Sequence, residues 1–201
     1  MDESSNGRRP RRPPTRRSRR RSIVGGLFFA AALAVPAVAG VGGDPVAAGQ
    51  ANGQEIPHEL LPELAAIRAA TATYHQVDDA LADGYDLMAP LDICIQHQPD
   101  GAMGYHYFNQ ELMADPTVDP LHPEAMVYEP LPGGGRRLVA VEWIVPSEVW
   151  AQTGNTEPPE LLGMPLHILN PVLGWYIIHA WVWKPNPSGM FADWNPRVPC
   201  R

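Results

Sequence analysis

Between Pro62 and Asp83 the apolar residues Leu64, Ile67, Tyr74, Val77 and Leu81 recur at helical spacing, which predicts an amphipathic helix packed on a core. Pro62 suits a first helical turn and Gly84 a C-terminal stop, so the pattern reads as a single helix about 33 Å long. Downstream the period changes. Short segments rich in β-branched and aromatic residues, Tyr105 to Asn109, Met126 to Glu129, Arg137 to Val145 and Trp175 to Trp183, are separated by Pro and Gly and read as strands. Pro132-Gly133-Gly134-Gly135 lies between the second and third, a hairpin turn signal. The last segment is apolar at nearly every position, as expected of a central strand covered on both faces.

These elements predict an α+β fold: one long N-terminal helix, and a shorter one around Glu111 to Ala114, packed on a twisted antiparallel sheet of about four strands. Long Pro-rich loops would close its ends, since residues 40–201 hold 19 of the 23 prolines. A β-sandwich is the alternative. The domain organisation is a signal peptide at 1–39, a flexible linker of small and polar residues at 40–56, and one globular domain at 57–201.

Charge sharpens this division. Nine of the fifteen basic residues lie between Arg8 and Arg21. The apolar stretch Ile23 to Val35 and the small residues Ala37-Val38-Ala39 follow, the layout of an export signal. Arg20-Arg21 resembles the pair of a twin-arginine signal. An uncleaved anchor is the alternative, although Gly25, Gly26, Pro36 and Gly40 interrupt the apolar run. Either way the domain lies outside the cytoplasm, secreted or in the cell envelope, with no membrane contact once the signal is cleaved. Residues 40–201 carry six basic and twenty acidic side chains, a net charge of −14, which argues against a nucleic-acid partner because phosphates need clustered Lys and Arg.

All seven histidines fall after residue 57, against one lysine, Lys184. Strand alternation puts His106 on a face with Phe108 and opposite Tyr105 and Tyr107. The same rule puts His179 beside Ile177, Trp181 and Trp183. His167, in the loop before Trp175, would join them if the chain turns at Asn170 to Gly174. Three imidazoles with Glu142 as a fourth ligand or orienting carboxylate would hold Cu or Zn with an open position. No short metal motif supports this, and buried histidines satisfied by backbone or carboxylate partners are the competing reading. General acid/base use of His106 or His179 is another.

Cys94, His97 and Met103 resemble the Cys-x2-His-x4-Met loop of blue copper proteins, with one extra residue before Met103. The competing use of Cys94 is a disulfide with Cys200, the only other cysteine. It would close a loop of about 100 residues, worth roughly 4 to 5 kcal/mol in the chain-entropy model. His75 would pair with Asp78 or Asp79, and His58, His97 and His122 would be exposed. The segment Trp183 to Pro196 would wrap the sheet, with Met190, Phe191 and Trp194 plugging one end. Alternatively it would form a lid over an aromatic pocket with Tyr105, Tyr107, Trp181 and Trp183. Hydrolase elbow, phosphate-loop, dinucleotide and zinc-protease motifs are absent from the sequence.

Met103-Gly-Tyr-His-Tyr107, Val141-Glu-Trp143 and His179 to Phe191 resemble segments of a group of uncharacterised exported bacterial proteins. The resemblance runs from about Thr71 to Cys200 and implies export and a single domain, with no activity or cofactor attached. The expectation is an exported small binding protein with a histidine-lined, aromatic-walled pocket for Cu or Zn, its partner a metal ion or a small apolar ligand. A His acid/base enzyme and a metal-free envelope protein are the alternatives.

Overall fold

Leu61–Thr71 forms α1, with a proline in its first turn and a 3-10 turn at His58–Leu60 before it. The computed structural model describes residues 56–200. The signal peptide at 1–39, its Arg20-Arg21 pair and all of the 40–56 linker except Ile56 lie outside the described residues.

The single long helix expected over residues 62–83 is not formed. α1 ends at Thr71, a 3-10 turn covers Ala72–His75, and α2 takes Val77–Ala82. Local polar chemistry explains the break. Thr71 Oγ1 donates back to the Ile67 carbonyl at 2.8 Å, competing with a continuous helical ladder, and Thr73 Oγ1 donates across the break to Asp79 Oδ2 at 3.2 Å. Gln76 is extended, and Asp78 and Asp79 fill the first turn of α2, where the helix dipole favours acids. The Tyr74 carbonyl accepts from Tyr128 Oη at 2.7 Å, so a sheet residue satisfies a group that a straight helix would have used itself.

The remaining elements are β1 (Tyr85–Asp86), β2 (Ile95–His97), β3 (Gly101–Asn109), α3 (Gln110–Met113), β4 (Ala125–Pro130), β5 (Arg136–Pro146), α4 (Ser147–Ala151), β6 (Glu160–Leu161), β7 (Met164–Pro165), β8 (His167–Ile168) and β9 (Trp175–Ala180). Seven strands form one antiparallel sheet in the order β1-β3-β4-β5-β9-β8, with β2 also on β3; β6 and β7 pair separately. The fold is therefore sheet-rich, with four short α-helices among the described residues, and the expectation of one long helix on four strands is corrected. The four expected strands lie in β3, β4, β5 and β9. Beside them β1, β2 and β8 are two- or three-residue strands, too short to show a period of two. The sandwich alternative fails too, because the second sheet is a single two-residue pairing.

Both faces of the main sheet are covered. Leu64 and Ile67 of α1 pack on Tyr107, Tyr128 and Trp143. The opposite face buries Val127, Ala140 and Trp181 in one cluster and Phe108, Ala125, Ile144 and Ile177 in another. Here the C-terminal segment runs as a strap. Asn195 and Ala102 exchange backbone hydrogen bonds at 3.0 and 3.2 Å. Gly101 permits this approach: it has φ +122°, and a Cβ there would sit 2.5 Å from the Asn195 backbone. The Cys94–Cys200 disulfide anchors the strap's end. Lys184 and Arg137 both pair with the buried carboxylate of Glu129, so the one lysine of the chain neutralises an internal acid.

Candidate metal centre

Strand alternation and register bring three side chains together on the strap-covered face. Glu142 of β5 is the register partner of His179 on β9 and of Ala125 on β4, while His106 of β3 is opposite Val127 on β4. His106 therefore sits one strand further from Glu142, and β4 lies between them. Because β4 presents only an alanine and a valine there, the imidazole and the carboxylate lean together over it.

The polar atoms converge. His106 Nε2 is 3.4 Å from His179 Nε2 and 3.3 Å from Glu142 Oε2, and His179 Nε2 is 3.4 Å from Glu142 Oε1. The carboxylate thus addresses one imidazole with each oxygen. Relative exposures are 2% for His106, 4% for Glu142 and 0% for His179. These three form a group of one ligand atom each, all within 4.8 Å of one another, able to hold a metal ion.

Burial and mutual charge perturb all three. Desolvation, reinforced by the charge of His179, pulls the His106 imidazole down to about 3, so it is neutral at physiological pH. Desolvation pushes the Glu142 carboxyl up to about 7, against the opposing pull of His179. Burial also lowers His179, but Glu142 and Asp193 outweigh it and the net shift is upward. Groups that favour opposite charge states in one dry site are a common mark of function.

Behind His179 stands Asp193, which the strap supplies and which has no strand or motif to announce it in the sequence. Its Oδ1 faces His179 Nδ1 at 3.4 Å, and its Oδ2 contacts His167 Nε2 at 3.0 Å. The first contact lies outside hydrogen-bond geometry, and both of its atoms are buried without another partner. Burial raises the Asp193 carboxyl, but the hydrogen bond from His167, the close approach of His179 and the charges of both imidazoles more than cancel this and hold it well below the usual range. Trp181 lies nearly parallel to the His179 ring, with centroids 6.3 Å apart. His167, considered above as a ligand, is half-exposed and reaches the centre only through Asp193.

A cavity of about 480 Å³ opens on the site, with His106 and Glu142 in its lining. Its aromatic walls are Phe108, Trp175 and Trp194, with aliphatic residues such as Leu91, Ile95 and Ile177. Tyr105, Tyr107, Trp181 and Trp183 do not line it. Tyr107 packs on Tyr128 on the helix face, where Arg136 covers the Tyr105 ring, and Trp183 donates to Thr71 Oγ1. The strand pattern had put these four on aromatic surfaces, but which face stays open depends on the loops. Trp175 begins β9 on the same face as Ile177 and His179, a parity visible in the sequence; Trp194 belongs to the aperiodic strap.

The other candidates disperse. Cys94 is bonded to Cys200 and so is not a thiolate ligand. His97 is exposed and pairs with Asp100 at 2.9 Å, and His122 likewise pairs with Asp119 at 2.9 Å. His75 lies edge-on to Trp183 at 4.3 Å instead of pairing with Asp78 or Asp79. No helix among the described residues is long and apolar enough to cross a membrane. Compared with known proteins, the chain matches no family model, no curated protein and no solved structure, so the site stands on its own geometry.

Proposed function

We propose that this is an exported metal-binding protein in which His106, Glu142 and His179 hold one Zn ion whose open position faces the apolar cavity. The observation that carries the reading is the convergence of two imidazole nitrogens and a carboxylate at 3.3–3.4 Å in a fully buried site. Two imidazole nitrogens and a carboxylate are a nitrogen and oxygen donor set that suits Zn, and the absence of a thiolate or thioether among the three donors disfavours Cu(I).

A cation also compensates the buried carboxylate. Three protein ligands with one position open is the arrangement of a catalytic or ligand-accepting zinc, whereas structural zinc has four. Export is supported by the disulfide, which persists in oxidising compartments, and by the basic and apolar N-terminal sequence. The resemblance to exported bacterial proteins agrees with it.

The test is elemental analysis of untagged protein after challenge with Zn and Cu, beside His106→Ala, Glu142→Gln and the surface control His122→Ala. One equivalent of Zn, retained in His122→Ala and lost in the other two, is the expected result; metal-free wild type overturns the reading. A second reading, His106 as an acid/base with Glu142 behind it, is favoured by the presence of both in the cavity lining. It requires catalysis by metal-free protein.

A further inference from the structure

We infer that the cavity takes an apolar monocarboxylate, such as a medium-chain fatty acid or an aryl carboxylate, with its head group on the metal and its tail toward the cavity mouth. This rests on the zinc reading above and adds the chemical class of the ligand.

Charge selects the head group. A divalent ion held by one carboxylate and two neutral imidazoles carries a net charge of +1. The cavity lining supplies no Lys, Arg or Asp to alter that sum, and its acid is Glu142 itself; the Asp193 carboxylate behind His179 is paired with His167 at 3.0 Å. His97 at the edge is already paired with Asp100. One monoanion neutralises the centre, whereas a dianion leaves a charge unpaired in a dry site. The acidic surface of the domain opposes an approaching anion only weakly, because exposed charges are screened beyond about 8 Å at physiological ionic strength.

The walls and mouth select the tail. Beyond His106 and Glu142 the lining is dominated by aliphatic and aromatic side chains. Its volume of about 480 Å³ is within the range of pockets that enclose small organic ligands. The apolar character continues outside: Ile93, Leu169, Val172 and Leu173 are all exposed, at 58%, 37%, 92% and 37%. Three of these four also line the cavity. Single exposed apolar residues are ordinary, but a cluster at the mouth of an apolar cavity marks a binding surface. A ligand with a polar far end would leave this rim unmatched; an alkyl or aryl tail covers it.

The experiment uses full-length mature protein loaded with Co(II) in place of zinc, whose visible d–d bands report both occupancy of the site and a change of its fourth ligand. Acetate, butyrate, hexanoate, octanoate and 2-naphthoate are titrated, with octanol, octylamine and suberate as controls. The expected result is a band shift with the monocarboxylates and affinity rising about fourfold per added methylene until the chain reaches the mouth. Leu173→Asp should keep the Co(II) spectrum and acetate binding while losing most of the gain for octanoate. If Co(II) binds but octanoate leaves the bands unmoved, or if octanol or suberate binds as tightly, the ligand assignment fails and the metal site stands. If Co(II) does not bind, the metal reading fails and takes this inference with it.

Discussion

Glu142 and His179 are register partners across β5 and β9, buried together with His179 Nε2 3.4 Å from Glu142 Oε1. Two adjacent strands thus fix both backbones of a charged pair that water does not reach. Buried charge costs several kcal/mol per ion to desolvate, and a site that holds a metal here, as proposed, would be kept at the expense of local stability, the ordinary exchange at functional sites. Metal binding should recover that stability. At zinc one hundred times above Kd the gain is about 2.7 kcal/mol, about 5 to 10 °C in Tm for a domain of this size. Calorimetry with zinc and then with a chelator checks it; His106→Ala should show no zinc-dependent shift.

How much of this centre the sequence displays depends on the element that carries each residue. His106, Glu142 and His179 lie on strands long enough for alternation to be read, and the same parity that pairs His106 with Phe108 aims it at the site, where the rings stack at 5.7 Å. Which strands are neighbours is a tertiary fact. The order β3-β4-β5-β9 is what puts Glu142 between the histidines. Asp193 and Trp194 sit in a strap without periodicity, held by Asn195 and the disulfide, so no local pattern distinguishes them. The helix break at Gln76 had a local signal in Thr71, Thr73 and Asp78-Asp79, which the apolar period overrode.

Asp193 should tune the metal without touching it. A carboxylate on the far nitrogen of a ligating imidazole fixes its tautomer and raises its basicity, and loss of such a partner typically costs 10- to 100-fold in affinity. Asp193→Asn should weaken zinc binding by that factor in competition titrations with a chromophoric chelator. His167→Ala, which removes only the outer partner, should have a smaller effect. Equal and complete loss in both would instead indicate that His167 is itself a ligand.

Glu124 gives the fold a further pH dependence, to which burial contributes most and the nearby Glu142 carboxylate adds. It is 2% exposed, its Oε2 accepts the Ile144 N–H at 2.9 Å, and desolvation pushes its carboxyl up to about 8 from an ordinary value of 4.5. Because the folded state binds this proton more tightly than the unfolded chain, the associated stability is fully present below pH 4.5. It is lost as pH rises toward about 8, at up to about 1.4 kcal/mol per pH unit. Glu124→Gln keeps an acceptor for Ile144 and removes the titration. Denaturant unfolding should therefore place the variant near wild type at pH 4.5 and clearly above it at pH 8. A constant difference across that range would contradict the assignment.

The strap ties stability to the site, because the segment that carries Asp193 and Trp194 is held at one end by the Cys94–Cys200 bond. The two cysteines are 106 residues apart, so reduction restores a large loop entropy to the unfolded chain, roughly 4 to 5 kcal/mol in the chain-entropy model. Cys94→Ser/Cys200→Ser should lose stability of that order in urea. If the strap also frays, zinc affinity should fall with it, although neither cysteine approaches the ligands. Gly101→Ala separates the two effects. It keeps the disulfide but sets a methyl 2.5 Å from the Asn195 backbone at φ +122°, which an L-residue rarely adopts. A drop in zinc affinity in oxidised Gly101→Ala would show that the seating of the strap, and not the covalent bond alone, completes the centre. Unchanged affinity would confine the strap's role to stability.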